Sequence, residues 1–386
     1  MSLTLGTRHG CVMQSEIRTM SIACAKAGGI NLSQGVCDTP VPPEVSGSVA
    51  RAVADGFNTY THYAGLKALR EAIALKQKRF SGQDVDPESE VIVSAGATGA
   101  MYCAFQALLS PGDEVIVFEP FYGYHVSTLV AAEAVPVSVP LGLPGWSFTS
   151  HDLERAVTSR TRGIIVNTPA NPSGKVFSRE ELDVIAGFAE RYDLFVFTDE
   201  IYEHFLYDGR RHTSFATLPG MKARTITVSG FSKTFSITGW RLGYAICDSR
   251  WAAAIGYFND LVYVCAPSPL QAAVAEGMRL LDDGYYLALS SEYEKKRDRF
   301  CEALCRAGLT PHVPGGAYYV LADTGDLPGE SAAGKAMYIL EKTGVASVPG
   351  SAFFSKGRGA DLVRFCFAKE DAVLDEACRR LALLRK

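Results

Sequence analysis

Residues 229–244 read Ser-Gly-Phe-Ser-Lys-Thr-Phe-Ser-Ile-Thr-Gly-Trp-Arg-Leu-Gly-Tyr, and this stretch decides how the rest of the chain is interpreted. It contains one lysine, Lys233, and an arginine eight positions later, Arg241. A lysine in a crowded, partly dry site loses proton affinity, and its neutral amine can form a Schiff base with an aldehyde. An arginine can bind a phosphate through two parallel hydrogen bonds. Together these two residues predict pyridoxal phosphate as the cofactor.

The whole stretch resembles the lysine signature of the class I/II aminotransferases, which are fold-type I pyridoxal-phosphate enzymes. The resemblance extends over about residues 15–386 and is nearest to the group of kynurenine, glutamine, methionine and aromatic transaminases. It implies an α/β fold with a mostly parallel sheet flanked by helices, plus a smaller α+β domain. It also implies a homodimer whose subunits share their active sites.

Composition narrows the classes of protein to which the chain can belong. The 386 residues can bury a large core in two domains, and 47% apolar with 21% charged residues is typical of a globular protein. A net charge of -4 without a long basic block argues against nucleic-acid or membrane partners. Residues 1–9 lack the apolar core of a signal peptide. Ten scattered cysteines without a Cys-x-x-Cys pair favour reduced thiols and a cytoplasmic location, and the seven histidines show no metal-ligand spacing.

Short β-rich runs alternate with helical patterns between about residues 90 and 245. The expected strands are 90–94, 113–118, 163–166, 194–198, 225–228 and 242–246. Their near-continuous apolar character indicates strands that are covered on both faces, as in a parallel sheet. A helix over 178–192 should begin with a capping box formed by Ser178 and Glu181.

The domain organisation follows partly from the change of pattern after about residue 268, where long helices lead to short strands. The family resemblance adds that the N-terminal segment joins the smaller domain. The expected division is therefore 1–45 packing with the small domain, 46–274 as the large cofactor-binding domain, and 275–386 as the small domain.

A candidate phosphate loop occupies residues 94–100, which follow a strand and open a helix. Backbone amides at a helix N-terminus suit a phosphate, although the segment alone is equally consistent with a plain strand–helix turn. Under the resemblance, the phosphate ligands are Gly96, Ala97, Thr98, Ser232 and Arg241. Gly230 stands where many relatives have serine, and Ser229 is the candidate to replace that contact.

A second group of residues is predicted to hold the cofactor ring. Asp199 ends a buried strand, where a carboxylate is costly unless it is paired, and a protonated pyridine nitrogen is a suitable partner. The alternative is a helix-capping aspartate with a packed tyrosine. The resemblance implies that Tyr202 and Asn171 hydrogen-bond the ring oxygen and that Tyr122 stacks on the ring. Lys233, Asp199 and Tyr202 are the predicted catalytic residues.

Arg364 lies among apolar β residues, where a guanidinium needs an anion. The resemblance makes that anion the α-carboxylate of the substrate, with Gly35 and Asn171 as further substrate contacts. It also implies that Tyr60 reaches the cofactor phosphate of the other subunit.

The predicted reaction moves an amino group from an L-amino acid to a 2-oxo acid. Residues 258–271 contain no Arg or Lys, where aspartate-specific relatives need a basic side chain, and Gly99 stands where another branch has lysine. The expected amino donor is therefore aromatic, sulfur-containing or glutamine. Arg18 is the candidate if the substrate instead carries a distal carboxylate.

Three other functions stay open at this point. The first is a β-lyase of the cysteine-S-conjugate type, which would release pyruvate and ammonia from the same site. The second is an aspartate aminotransferase. The third is an effector-sensing regulator with an inactive aminotransferase fold. Such regulators carry an N-terminal winged-helix domain, for which a pattern beginning near residue 15 leaves no room.

Overall fold

The computed structural model describes residues 15–385 together with Leu3 and Leu5. The strands are β1 (Ile30–Asn31), β2 (Val91–Ala95), β3 (Glu114–Glu119), β4 (Val135–Pro140), β5 (Thr161–Asn167), β6 (Phe195–Asp199), β7 (Thr225–Gly230), β8 (Leu242–Ile246), β9 (Thr310–His312), β10 (Tyr319–Asp323), β11 (Val345–Ala346), β12 (Val348–Pro349) and β13 (Leu362–Cys366).

The helices are α1 (Glu16–Lys26), α2 (Pro43–Ser46), α3 (Ser48–Ala54), α4 (Lys67–Ser81), α5 (Gly96–Leu108), α6 (Gly123–Ala131), α7 (Ser150–Glu154), α8 (Arg179–Arg191), α9 (Ser249–Tyr263), α10 (Ser268–Leu280), α11 (Asp283–Ala307), α12 (Ala332–Thr343) and α13 (Asp371–Leu381). Single 3₁₀ turns span Phe215–Thr217, Thr238–Trp240, Gly350–Phe353 and Ala382–Arg385. None of the helices in the described part of the chain is long and apolar enough to cross a membrane.

The central sheet has seven strands in the order β2-β8-β7-β6-β5-β3-β4. Only β8 runs against the others, because it pairs antiparallel with both β7 and β2. The short connection between β7 and β8 contains no crossover helix that could return the chain in the parallel direction. The prediction of a mostly parallel sheet flanked by helices is therefore confirmed.

Edge strand β4 was not predicted from the sequence. Its run Val-Pro-Val-Ser-Val-Pro contains two prolines, which sheets tolerate at edges because a proline cannot donate a backbone hydrogen bond. Helix α8 begins as expected, because Ser178 accepts from the Glu181 backbone while the Glu181 side chain accepts from the Ser178 backbone.

The carboxyl ends of the parallel strands place polar residues at one edge of the central sheet. Strands β3, β5, β6 and β7 end at Glu119, Asn167, Asp199 and Gly230. The loops that follow these strands carry further predicted site residues. In open α/β sheets, ligands bind outside this edge.

A separate antiparallel sheet has the order β12-β13-β10-β9, and β1 pairs in parallel with β11. Ile30 lies opposite Val345, so the N-terminal segment contacts the C-terminal part of the chain. This arrangement agrees with the expected smaller α+β domain. The bounds 1–45, 46–274 and 275–386 remain a prediction, and the last boundary falls inside α10. Of residues 1–14, all except Leu3 and Leu5 lie outside the described residues.

Candidate active site

A cavity of about 790 Å³ lies at the carboxyl ends of the central strands. Its wall combines residues of the central sheet with Arg364 of the small sheet and Gly35 of the N-terminal segment. The predicted site residues that line it are Gly35, Ala97, Thr98, Tyr122, Asn171, Asp199, Tyr202, Ser232, Lys233, Arg241 and Arg364. The structure therefore brings together most of the residues that the sequence proposed, although their roles are still predictions.

One end of the cavity is built for an anion. Helix α5 begins at Gly96 with no side-chain cap, and the next two residues, Ala97 and Thr98, line the cavity. Gly96 has a φ of +80°, and a Cβ on it would lie 2.5 Å from Nη2 of Arg241. Glycine thus leaves the space in which the guanidinium lies beside the helix N-terminus. Uncapped amides, the helix dipole and a cation together fit a phosphate.

The neighbouring strand end corrects one prediction. Ser229 is fully buried, and its hydroxyl donates to Oε1 of Glu203 at 2.7 Å. It does not line the cavity, so the prediction that it supplies a phosphate contact is wrong. Gly230 is required by packing, since a Cβ on it would lie 2.9 Å from the Cα of Gly243.

Lys233 also lines the cavity. Its Nζ donates to the carbonyl oxygen of Gly35 at 3.0 Å and lies 5.9 Å from the centre of the Tyr318 ring. Burial lowers the pKa of the amine below its ordinary value of 10.5. A larger share of the amine is therefore neutral near neutral pH, which is the form that attacks an aldehyde.

The Asp199 carboxylate is buried at the end of β6 and has two partners. His125 Nε2 lies 2.8 Å from Oδ2, and the backbone amide of Ile201 donates to Oδ1 at 3.2 Å. His125 is only 4% exposed and also lines the cavity. The sequence analysis missed it, because its only signal is a position three residues after Tyr122, in the first turn of α6. A carboxylate held in this way can stabilise a cation on a ligand ring.

Tyr202 and Tyr319 form a pair of hydroxyl groups at the cavity wall. Their oxygen atoms are 2.9 Å apart, and burial raises the pKa of Tyr202 well above its ordinary value. Tyr202 therefore stays protonated and can donate to a ligand oxygen. Tyr319 was also missed, because its sequence position indicates only a buried strand. A Cβ on Gly35 would lie 1.8 Å from the Tyr319 hydroxyl, so the hydroxyl occupies space that only glycine leaves open.

Arg364 also lines the cavity and is fully buried. Its Nη1 donates to Oδ1 of Asn171 at 3.0 Å, Nη2 donates to the carbonyl oxygen of Ser33, and Nε has no partner. The rings of Tyr319 and Phe353 lie 4.4 Å and 4.9 Å from the guanidinium carbon. Within residues 15–385 it forms no ion pair. A buried guanidinium with an unpaired nitrogen fits a carboxylate ligand.

The remaining predicted residues lie as follows. Tyr60 is 82% exposed and does not line this cavity. Tyr122 lies on the wall and stacks on Tyr124 with ring centres 5.3 Å apart. Arg18, on α1, lines the outer part of the cavity and forms no ion pair within the described residues. A Cβ on Gly99 would lie 2.9 Å from the Ser94 hydroxyl, so this position has no room for a lysine.

These residues can bind one ligand with a phosphate, an aldehyde and a basic ring nitrogen, and a second ligand with a carboxylate. The phosphate end, the Lys233 amine and the Asp199 carboxylate fit the three groups of pyridoxal phosphate. Arg364 fits the carboxylate of an amino acid. No cluster of three or more His, Cys, Asp or Glu that could hold a metal ion occurs in the described part of the chain.

Comparisons with known proteins agree with this chemistry. A family model described as aminotransferase class I and II matches residues 27–381. A probable N-succinyldiaminopimelate aminotransferase of Mycobacterium tuberculosis is 39% identical over 95% of this chain and 94% of that protein. Kynurenine–oxoglutarate transaminase 3 of Rattus norvegicus is 37% identical over 90% of this chain and 83% of that protein. A solved structure of the M. tuberculosis N-succinyldiaminopimelate aminotransferase superposes with a TM-score of 0.95 at 37% identity, covering 99% and 100% of the two chains.

Proposed function

The chain belongs to the class I and II aminotransferases, which are pyridoxal-phosphate enzymes of fold type I, and we propose that it transfers the amino group of an uncharged L-amino acid to a 2-oxo acid. The observation that carries this proposal is one cavity that is lined by Lys233, by Arg241 beside the uncapped N-terminus of α5, and by the buried Arg364. Amino acids and 2-oxo acids are the substrates of this family.

Each residue of the cavity has a separate task in the proposed reaction. Arg364 and Asn171 bind the α-carboxylate of the substrate and thereby orient its Cα toward Lys233. The neutral amine of Lys233 then takes the proton from that Cα as a general base. When bound, pyridoxal phosphate withdraws electrons from the Cα bond that breaks.

Other residues stabilise charge and hold the cofactor. Asp199, fixed by His125, places a negative charge at the pyridine nitrogen. Tyr202 donates to the ring oxygen with support from Tyr319. The amides of Ala97 and Thr98, the Ser232 hydroxyl and Arg241 hold the phosphate. The preorganised positions of these groups reduce the rearrangement needed during the reaction.

The uncharged side chain of the donor is supported by two observations. Residues 258–271 contain no basic side chain, and Gly99 has no room for one. An unpaired distal carboxylate would lose hydration in such a pocket, whereas an aromatic or thioether side chain gains about 25 cal/mol for each Å² that it buries. Aromatic amino acids, methionine and glutamine are the proposed donors.

A second candidate substrate class is favoured by Arg18. This arginine faces the same cavity without an ion-pair partner among the described residues. A succinyl group, present in the substrate for which the M. tuberculosis relative is named, carries a carboxylate that such an arginine could bind. An amino acid with a distal carboxylate is therefore the alternative donor.

Steady-state kinetics on a panel of donors separates these possibilities. Phenylalanine, methionine, glutamine, aspartate and N-succinyldiaminopimelate would each be paired with pyruvate, 2-oxoglutarate and 4-methylthio-2-oxobutyrate. We expect a neutral donor to exceed the acidic donors at least tenfold in kcat/KM. The donor belongs to the acidic class if an acidic amino acid has the highest kcat/KM and Arg18→Ala lowers kcat/KM for the acidic donors but not for the neutral donors. Release of pyruvate and ammonia from a cysteine conjugate without an oxo acid would indicate the β-lyase instead.

A cytoplasmic homodimer with shared active sites is proposed for the assembly. Tyr60 is 82% exposed, and Tyr257 and Leu261 are 65% and 78% exposed, which suits a surface covered by a second copy. The nine described cysteines are all free, as expected in a reducing compartment.

Mixing an inactive Lys233→Ala variant with a weakened Tyr60→Ala variant tests whether the two subunits share their active sites. Activity above the sum of the two parents is expected after subunit exchange, whereas strictly additive activity would contradict shared sites.

A further inference from the structure

Residues 350–361 connect β12 to β13, and we refer to them as the bridging segment. They leave the small sheet and contact the central sheet at the carboxyl end of β3. The backbone amide of Phe121, just after β3, donates to the carbonyl oxygen of Phe353 at 2.9 Å. The two sheets that build the cavity are therefore joined at this point.

The bridging segment also contacts Glu119, the last residue of β3. Glu119 is fully buried, and Arg358 is its ion-pair partner, with Nε 2.8 Å from Oε1 and Nη2 2.9 Å from Oε2. The Ser355 hydroxyl also donates to Oε2 at 2.9 Å. Within residues 15–385 no other cation pairs with this carboxylate. A buried carboxylate without such a partner is strongly destabilising, so the pair fixes the segment on the strand.

Glu119 and Arg358 each lie close in sequence to a residue that lines the cavity or contacts its lining. Glu119 precedes Tyr122, a wall residue, by three positions. On the other side, Phe353 of the bridging segment packs its ring 4.9 Å from the Arg364 guanidinium. The ion pair thus joins the Tyr122 wall to the Arg364 wall.

The two ends of the bridging segment contact each other. A Cβ on Gly350 would lie 2.4 Å from the carbonyl oxygen of Gly359, so the two backbones are in close contact. The segment therefore forms a compact loop that contains both Arg358 and Phe353.

We propose that Glu119 and Arg358 are positioning residues that hold Phe353 and Arg364 where the α-carboxylate of the substrate is bound. This inference rests on the proposed function, because it assigns the carboxylate to Arg364. Neither residue of the pair lines the cavity. Its loss should weaken every carboxylate ligand by a similar factor, whatever the side chain, and should leave cofactor affinity unchanged.

The experiment compares Arg358→Gln with Arg160→Gln as a matched control. Arg160 pairs with Glu114, a buried carboxylate at the opposite end of the same strand, away from the cavity. Both substitutions remove a cation from a buried β3 carboxylate, and only one of them is linked to Arg364. The readouts on the cofactor-loaded protein are the affinity for 3-phenylpropionate, which cannot react, and KM and kcat for phenylalanine and methionine.

In Arg358→Gln we expect the affinity for 3-phenylpropionate to fall, and KM for both donors to rise, by about 10- to 10²-fold, since a shift on the order of 1 Å in a binding group can have such an effect. We expect kcat to change by less than about threefold and Arg358→Lys to recover part of the loss. Arg160→Gln should leave all three quantities unchanged. If Arg358→Gln does not fold, Ser355→Ala and Arg358→Lys carry the test, with expected losses of about two- to fivefold.

Two results would overturn the proposal. One is an unchanged carboxylate affinity in the Arg358 and Ser355 variants, and the other is an equal loss in Arg160→Gln. Failure of the proposed function looks different. In that case the wild-type protein binds 3-phenylpropionate in an Arg358-dependent way but transfers no amino group, and the positioning role stands.

Discussion

Arg241 and Arg364, which are both proposed to bind anions in the cavity, lie in opposite environments. Arg241 is exposed, and its Nη1 donates to the Thr238 carbonyl oxygen at 3.0 Å beside the N-terminus of α5. Arg364 is fully buried between two aromatic rings and has an unpaired Nε. The first guanidinium is therefore largely hydrated when no anion is bound, whereas the second has almost no solvent-accessible surface.

The difference indicates how each end contributes to binding. At the phosphate end, the helix amides share the charge with an arginine whose interaction is weakened by solvent. At the proposed carboxylate site, we expect the desolvated guanidinium of Arg364 to supply most of the interaction. The following predictions test whether burial, rather than the residue type, sets the size of the effect.

The largest effect is expected for Lys233→Ala. The variant should lose nearly all turnover, because no other amine in the cavity can take the Cα proton. Both anion sites should still bind, so the cofactor should remain attached through its phosphate and ring contacts. Borohydride reduction followed by peptide mapping checks the assignment in the wild type, where the label should appear on Lys233. A label on another lysine would contradict it.

Asp199→Asn should have the next largest effect, a loss of about 10²–10³ in kcat. The amide keeps the shape of the side chain but cannot stabilise a positive pyridine nitrogen. The His125 contact should hold the side chain in place, so the melting temperature is a control that should change little. Near-normal turnover would remove Asp199 from this role.

Arg364→Lys tests the buried end directly. Lysine keeps the charge but loses the planar group between the two rings, and we expect a cost of about 3 kcal/mol, or roughly 10²-fold in KM for the donor. The cofactor absorbance should be unchanged. The measurement is KM for the donor and for the oxo acid, which should rise together.

Arg241→Lys is the corresponding change at the exposed end and should have a smaller effect. An exposed ion pair contributes about 1 kcal/mol or less, so cofactor affinity should fall by no more than about fivefold. Titration of the cofactor-free protein with pyridoxal phosphate measures this value. A loss as large as that for Arg364→Lys would show that burial does not explain the comparison.

The smallest effect concerns stability and pH. Burial lowers the pKa of Lys233 in the folded, cofactor-free protein below 10.5, so unfolding takes up a proton at pH values between the lowered pKa and 10.5. The stability contributed by this lysine is fully present above 10.5 and is lost as the pH falls through the lowered pKa. Lys233→Met should therefore raise the melting temperature at pH 7 by on the order of 2 °C, and this gain should shrink toward pH 10. A gain that is independent of pH would contradict a titration origin.

The sequence predicted the fold better than the contacts of individual side chains. The strand expected at 163–166 occurs within Thr161–Asn167, and the Ser178 capping box forms as expected. These features depend on local composition and spacing. Strand β4 was missed because its two prolines obscure the apolar run.

The residues that sequence analysis missed or misplaced depend on tertiary neighbours. His125 gains its position from Asp199, and Tyr319 gains its position from Tyr202. The two residues of each pair are far apart in the sequence, so no local motif predicts the contact between them. Ser229 was misplaced because alternation along β7 turns its hydroxyl toward Glu203, away from the cavity. A resemblance can identify a motif, but it cannot show which face a side chain occupies when the motif departs from the family.

The pairing of β1 with β11 has a consequence for biosynthesis. Ile30 leaves the ribosome long before Val345, its partner, and at about 5–20 residues per second the delay is roughly 15 to 60 s. All strands of the central sheet emerge during this interval, so that sheet can form first. Met20 and Cys24 of α1 are buried in the folded protein. During synthesis they stay exposed to solvent until the C-terminal part of the chain emerges. These two side chains can therefore reach their final packing only when the C-terminal part of the chain has been synthesised.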